Sequence, residues 1–293
     1  MNNHLRADLV LVLVTVLAAL GWVFTKEGFG QLPPVEFIST RFVCAALILL
    51  CFSHKQLRRF TSTQWMLCVR SGVLFAISIL VWAIALDLSH HMGVGAFLTS
   101  LGILLVPLVR VFSADKPKLI WWCSLPVAGA GLACLSLDSH FVFGVGEYLF
   151  LLAAALFALY FTVNSHAASR VPTAGLATVT LFVTGVLTGI YSAFTEVWVF
   201  AWSGETVMWF LLSVVIATSL RFFLQSYGQS LADVSHTAVI MILEPVWTAI
   251  FAAIWFAESM SLLQVLGCAL IFSALVLNRW NMVLGWLRLK RAV

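Results

Sequence analysis

The chain has 293 residues, 62% of them hydrophobic and 10% charged, with a formal net charge of +4 and a mean hydropathy of +1.05. Soluble domains average roughly 45–50% apolar and about 25% charged residues, so these values exclude an ordinary soluble domain and indicate an all-α integral membrane protein. Apolar stretches of the about 20 residues needed to cross a hydrocarbon core fill nearly the whole chain, leaving no room for a separate soluble domain.

Read from one polar break to the next, the sequence predicts ten transmembrane helices. The first, 7–25, follows Arg6 and carries Ala18-Ala19 near its end. A cleaved signal peptide would look similar, but the internal repeat described below requires this segment as a helix. Segments 34–52, 64–86, 90–112 and 119–137 come next, then 145–164, 173–194, 206–228, 234–256 and 260–278. Pro33-Pro34, Lys116-Pro117 and Val171-Pro172 fall in the breaks, where proline starts or ends a helix at little cost. With the N-terminus inside, the inner loops collect Arg6, Lys55, Arg58, Arg59, Arg110, Lys116, Lys118, Arg170, Arg279, Arg288, Lys290 and Arg291, against Lys26 outside. This bias places both termini in the cytoplasm and accounts for the positive charge without a nucleic-acid partner. Cys44, Cys51, Cys68, Cys123, Cys134 and Cys268 lie in apolar segments without a CxxC pair and read as packing residues. His90-His91 lack a third ligand at metal-binding spacing, so neither a metal nor a cofactor is expected.

The chain repeats itself at about half its length. Asp87-Leu88-Ser89-His90 returns as Asp233-Val234-Ser235-His236 after 146 residues, Phe24-Thr25 returns as Phe161-Thr162 after 137, and Trp65 as Trp209 after 144. The order is kept while loop lengths differ, which predicts two halves, 1–140 and 141–280, followed by a tail over 281–293. Five helices per half is an odd number, so the second half enters the membrane from the opposite side. Inverted repeats of this kind are common in secondary transporters, with the substrate held between them near the midplane. Asp and Ser in the two tetrads suit helix N-caps, which is the preferred reading over a duplicated catalytic site.

Arg41-Phe42, the run FLTSLGILLVPL over 97–108, and LQSYGQSLADVSHTAVIMILEPVWTAIFAAIWFAE over 224–258 resemble the drug/metabolite transporter superfamily, EamA type. Leu243-Glu244-Pro245-Val246 and Glu258 are typical of the second half of that family. The resemblance covers nearly the whole chain and implies a ten-helix carrier in the cytoplasmic (inner) membrane. It would move small organic metabolites by alternating access. Two features depart from the family pattern. Asp115 replaces the Gly-Glu that usually precedes the fifth helix, and Thr99 aligns with Pro245, so the first half lacks a Glu-Pro element there.

Ionisable side chains deep in a bilayer are costly and tend to face a cavity or a partner. Glu244 lies near the middle of 234–256, where Pro245 leaves the Met241 carbonyl without a backbone donor. Thr237, Met241, Glu244 and Thr248 share one helical face, and Thr218, Arg221, Gln225 and Gln229 form a stripe on the preceding segment. Counted from a turn near Leu231, Arg221 and Glu244 differ in depth by only about 4–5 Å, so they can pair. Two readings stay open: a cavity site in which Arg221 exchanges Glu244 for a substrate carboxylate, and a fixed salt bridge. Arg41 could compensate Glu244, hold an anionic group, or serve structure alone. Together Arg41, Arg221 and Glu244 leave the region slightly positive, which favours a zwitterion or anion, such as an amino acid or derivative, over a polycation.

Trp22, Tyr160, Trp82, Phe97, Tyr227 and Trp247 lie in helices that the family fold places around a cavity, and aromatic rings suit apolar or heterocyclic ligand parts. Gly95, Thr99 and Gly102 form a line of small residues, and Gly185 and Gly189 a GxxxG spacing that fits either internal packing or a homodimer. An enzyme is not expected, because no HExxH, GxSxG or phosphate-cradling loop is present. A multidrug or nucleotide-type carrier, or a non-transporting receptor or assembly protein, are the alternatives to a metabolite carrier. Glu244 is the carboxylate that could couple transport to protons, and facilitated diffusion is equally compatible.

Overall fold

The computed structural model describes residues 3–29, 32–88, 98–102, 105–106, 109, 119–136, 144–199, 202–232, 234–255 and 261–278, and every regular element among them is helical. The helices are α1 Asn3–Phe29, α2 Pro34–Leu57, α3 Ser62–Leu88, α4 Leu119–Ser136, α5 Val145–Ala168 and α6 Thr173–Thr195. They continue as α7 Gly204–Leu231, α8 Val234–Met241, α9 Leu243–Trp255 and α10 Leu262–Asn278. Among the described residues six helices, α1 to α3 and α5 to α7, are long and apolar enough to cross a membrane. Ser89, His90, His91, Gly95, Phe97 and Asp233, most of the expected segment 90–112, and the tail 281–293 lie outside the described residues.

The helices pack across the two halves of the chain: α2 on α6, α4 on α10, α3 on α5, and α1 on α7. Exchanging the halves maps the first two pairings onto themselves and the third onto the fourth. The paired helices also run in opposite directions. The start of α1 meets the end of α7 at the turn into α8, through Asp8 and His236, 2.8 Å apart, and the end of α2 meets the start of α6 through Ser53 and Thr178, also 2.8 Å apart. Ser71 near the start of α3 bonds Asn164 near the end of α5. At the opposite end, Glu27 of α1 accepts a bond from the Trp255 indole of α9.

The α2–α6 pair shows why the bundle holds its register. Pro34 opens α2, whose first amide groups have no partner within the helix. Glu196, just past α6, supplies one: its carboxylate accepts from the Val35 N–H at 3.0 Å, the Glu36 N–H at 2.7 Å and the Ser192 hydroxyl at 2.7 Å. Glu36 in return accepts from the Val199 N–H at 3.0 Å. Beneath this cap lies a core in which Phe37, Phe42, Phe150 and Leu181 are buried.

Farther along, the two backbones approach closely at Gly185. A Cβ there would come within 2.7 Å of Val43 Cγ2 and 2.8 Å of its backbone nitrogen, whereas at Gly189 the nearest atom would be Ser39 Cβ at 3.6 Å. The GxxxG spacing therefore serves contact within the chain. Gly185→Ala should destabilise the protein by about 1–3 kcal/mol through overpacking. Gly189→Ala should be neutral or gain up to about 1 kcal/mol of helix propensity. Thermal unfolding of the purified protein in detergent would read both.

Two expected helices differ from the sequence reading. Segment 234–256 is broken at Ile242 into α8 and α9, because Pro245 cannot donate to the Met241 carbonyl and its ring crowds that turn. Within α7, Ser213–Leu220 is a π-helix in which the Thr218 and Ser219 hydroxyls donate five residues back, to the Ser213 and Val214 carbonyls at 2.8 Å each. Such wide turns occur often at functional sites. This one ends immediately before Arg221.

Candidate functional site

A cavity of about 180 Å³ lies between the halves, lined from α1, α2, α3, α5, α7 and the α8–α9 break, together with Thr99, Ser100, Gly102 and Val106. Eight residues expected from the sequence line it: Arg221, Glu244, Gln225, Arg41, Trp22, Tyr160, Trp82 and Thr99. Tyr227 does not. Two residues on from Gln225, it points about 200° around the helix, so α7 cannot present both to one cavity. Thr218 is also turned away, since the π-helix presents Ala217 in its place and leaves the Thr218 hydroxyl on its own backbone. Gly102 brings its segment against α5 so closely that a side chain there would strike the Ala154 carbonyl.

Glu244 lies in the first turn of α9, where the open end of a helix favours a carboxylate. Its Oε1 accepts from the Trp22 indole N–H at 3.1 Å, and its Oε2 stands 3.8 Å from Arg221 Nη2. The Arg221 and Glu244 side chains are 18% and 20% exposed, so the pair borders open space. At an effective dielectric of about 20, charges at this separation attract by about 4 kcal/mol, comparable to the several kcal/mol that desolvating each ion costs. The attraction is thus no larger than the cost of burying the two charges. The Arg221 guanidinium also lies 4.4 Å from the centroid of the Phe222 ring, which favours a cation there.

Arg41 does not turn to Glu244. Its Nη1 donates to Thr25 Oγ1 at 2.8 Å, while its Nε is buried without a partner. Thr25 was legible only as half of the repeated Phe-Thr pair. The aromatic wall is larger than the sequence indicated, with Phe75 as its hub: its ring stacks on Tyr160 at 4.6 Å and lies 5.1 Å from Phe222 and 5.5 Å from Phe42. No local signal marks Phe75 among 23 phenylalanines. Trp22 meets Trp82 edge to face at 5.2 Å. Gln225 is 3% exposed, and its Oε1 has no hydrogen-bond partner. The cavity thus combines two guanidinium groups, one carboxylate, an unused amide acceptor and aromatic walls. That set can bind a small molecule carrying an acidic group, a hydrogen-bond donor and an apolar part.

Comparison with known proteins gives a consistent picture. The model of the EamA-like transporter family matches the chain twice, over residues 5–137 and 144–280. An uncharacterized transporter of Archaeoglobus fulgidus is 25% identical over 280 residues, covering 94% of this chain and 86% of the relative. A solved crystal structure superposes with a TM-score of 0.80 at 17% identity, covering 94% of this chain and 97% of the other, and shows the same fold.

Proposed function

The chain belongs to the EamA-like transporter family, and from that premise we propose that it is a secondary carrier for a small zwitterionic or anionic metabolite, with an amino acid or derivative as the first choice. Its two halves, 1–140 and 141–280, act as inverted five-helix repeats that expose the central cavity to each side of the cytoplasmic membrane in turn. The opposed directions of the paired helices and the double family match support this reading. Lys55, Arg58, Arg59 and Arg170 gather at the face where α1 begins, which supports a cytoplasmic placement of that face and, with the Lys and Arg of the sequence, of both termini.

The observation that carries the cargo class is the charge of the cavity: Arg41 and Arg221 against Glu244. A ligand carboxylate would take over Arg221, and a ligand ammonium or N–H would meet Glu244 and the free Gln225 oxygen. Ligand-induced thermal shift on purified protein, screened across amino acids, other carboxylates, organic cations and neutral sugars, tests this. Stabilisation by amino acids or carboxylates is the expected result. Stabilisation confined to cations or sugars overturns it.

A further inference from the structure

Arg221, Gln225 and Gln229 lie on one face of α7 at steps of about 6 Å along the axis, running from the cavity toward the face where α1 begins. Gln229 lies beyond the cavity lining, and its side chain belongs to a chain of bonds joining three helices. The Ser71 hydroxyl of α3 donates to Asn164 Oδ1 of α5 at 2.8 Å, and Asn164 Nδ2 donates to Gln229 Oε1. Asn164 spends its oxygen on Ser71 and its nitrogen on Gln229, so the Gln229 oxygen is occupied and its NH₂ group is the free end. Gln229 is 2% exposed, and Nε2 has no partner. One turn away stands the unpartnered Gln225 Oε1, also buried. A buried amide nitrogen held in place with unused hydrogens is unfavourable until a water or a ligand group uses it, and a carboxylate or carbonyl oxygen is a stronger acceptor than water.

We infer that Gln229, oriented by Asn164 and Ser71, is a second polar station for the cargo, where a carboxylate or carbonyl oxygen that has left Arg221 is held on its way to the face where α1 begins. The inference rests on the carrier reading and adds a donor site to it. Arg221 binds the acidic group in the cavity as an ion pair; Gln229 offers only neutral donors, so it holds the same group more weakly and releases it. The Gln225 oxygen, between the two, accepts from the donor end of the cargo.

The test uses the full chain with its six native cysteines replaced by alanine and one cysteine returned at a time. An anionic, membrane-impermeant methanethiosulfonate reagent applied to the face where α1 begins should modify Gln229→Cys at least tenfold faster than Thr188→Cys, which is fully buried on α6. A rate equal to that of Thr188→Cys overturns the proposal. A second variant, Gln229→Glu, keeps the shape and removes the donor. Using the amino acid that stabilises the unaltered protein most in the thermal-shift screen as probe, uptake should fall at least tenfold while its binding midpoint stays within twofold. Binding and uptake falling together, or neither changing, also overturns the proposal. If no amino acid or carboxylate is bound but Gln229→Cys still reacts, the cargo class fails while the path through Gln229 stands. If the ligands bind and Gln229→Cys is inert, the relay fails and the carrier reading survives.

Discussion

Arg221→Leu is expected to lower uptake of the preferred zwitterion or anion by about 10- to 100-fold in proteoliposomes at matched protein levels. A hydrogen bond to a charged group contributes roughly 1.5–3 kcal/mol, and each 1.4 kcal/mol is about tenfold in affinity. The same change strands Glu244, so stability should fall as well. The double variant Arg221→Leu/Glu244→Leu separates the two roles. Removing both members of an ion pair relieves the uncompensated charge. Thermal stability should therefore recover while uptake does not. Recovery of both would make the pair a fixed tie between α7 and α9, with no part in binding. Glu244→Gln, which keeps an acceptor for the Trp22 indole, should be the mildest of the series in stability. If protons drive the carrier through Glu244, this variant should also lose any stimulation of uptake by a pH gradient.

The second large effect concerns stability. Glu196→Ala should destabilise the protein by about 2–4 kcal/mol, because the Val35 and Glu36 amides at the start of α2 lose a charged acceptor where water has little access. Glu196→Gln should cost less, since one of its two oxygens remains to accept. Detergent-solubilised protein followed by thermal unfolding gives the ranking. A Glu196→Ala protein as stable as the unaltered chain would mean that Val35 and Glu36 find other acceptors. Transport by the surviving folded fraction should be close to normal, because Glu196 lies at the end of the α2–α6 pair and outside the cavity lining.

Periodicity and depth were enough to bring Arg221 and Glu244 together from sequence, since two antiparallel segments sharing a short turn leave few choices of register. Regular α-helical geometry fails at two places. A π-helix adds residues to a turn and rotates everything after it. The stripe of Thr218, Arg221, Gln225 and Gln229 presumes regular turns, and the structure lines the cavity with Ala217 rather than Thr218. Hydropathy runs 234–256 as one segment across Pro245, and the break at Ile242 places Glu244 in the first turn of a new helix. Tyr227 lies in a helix that the family fold places around the cavity, and its position around α7 keeps it out of the cavity lining.

By itself the sequence determined that the chain is helical, that it lives in a bilayer and that it resembles a family of transporters. Each of these follows from composition, from the length of apolar runs and from motifs that lie contiguous along the chain. The tertiary structure alone decided which side chains share the cavity, that Arg41 turns to Thr25, that Phe75 joins four helices' worth of aromatic rings, and that Asn164 faces Gln229. The reason is physical. In a membrane both the lipid-facing and the buried faces of a helix are apolar, so hydrophobic periodicity, which marks the inner face in a soluble protein, is nearly silent here. Which face turns inward is set by close contacts such as Gly185 on Val43, between residues far apart in the chain.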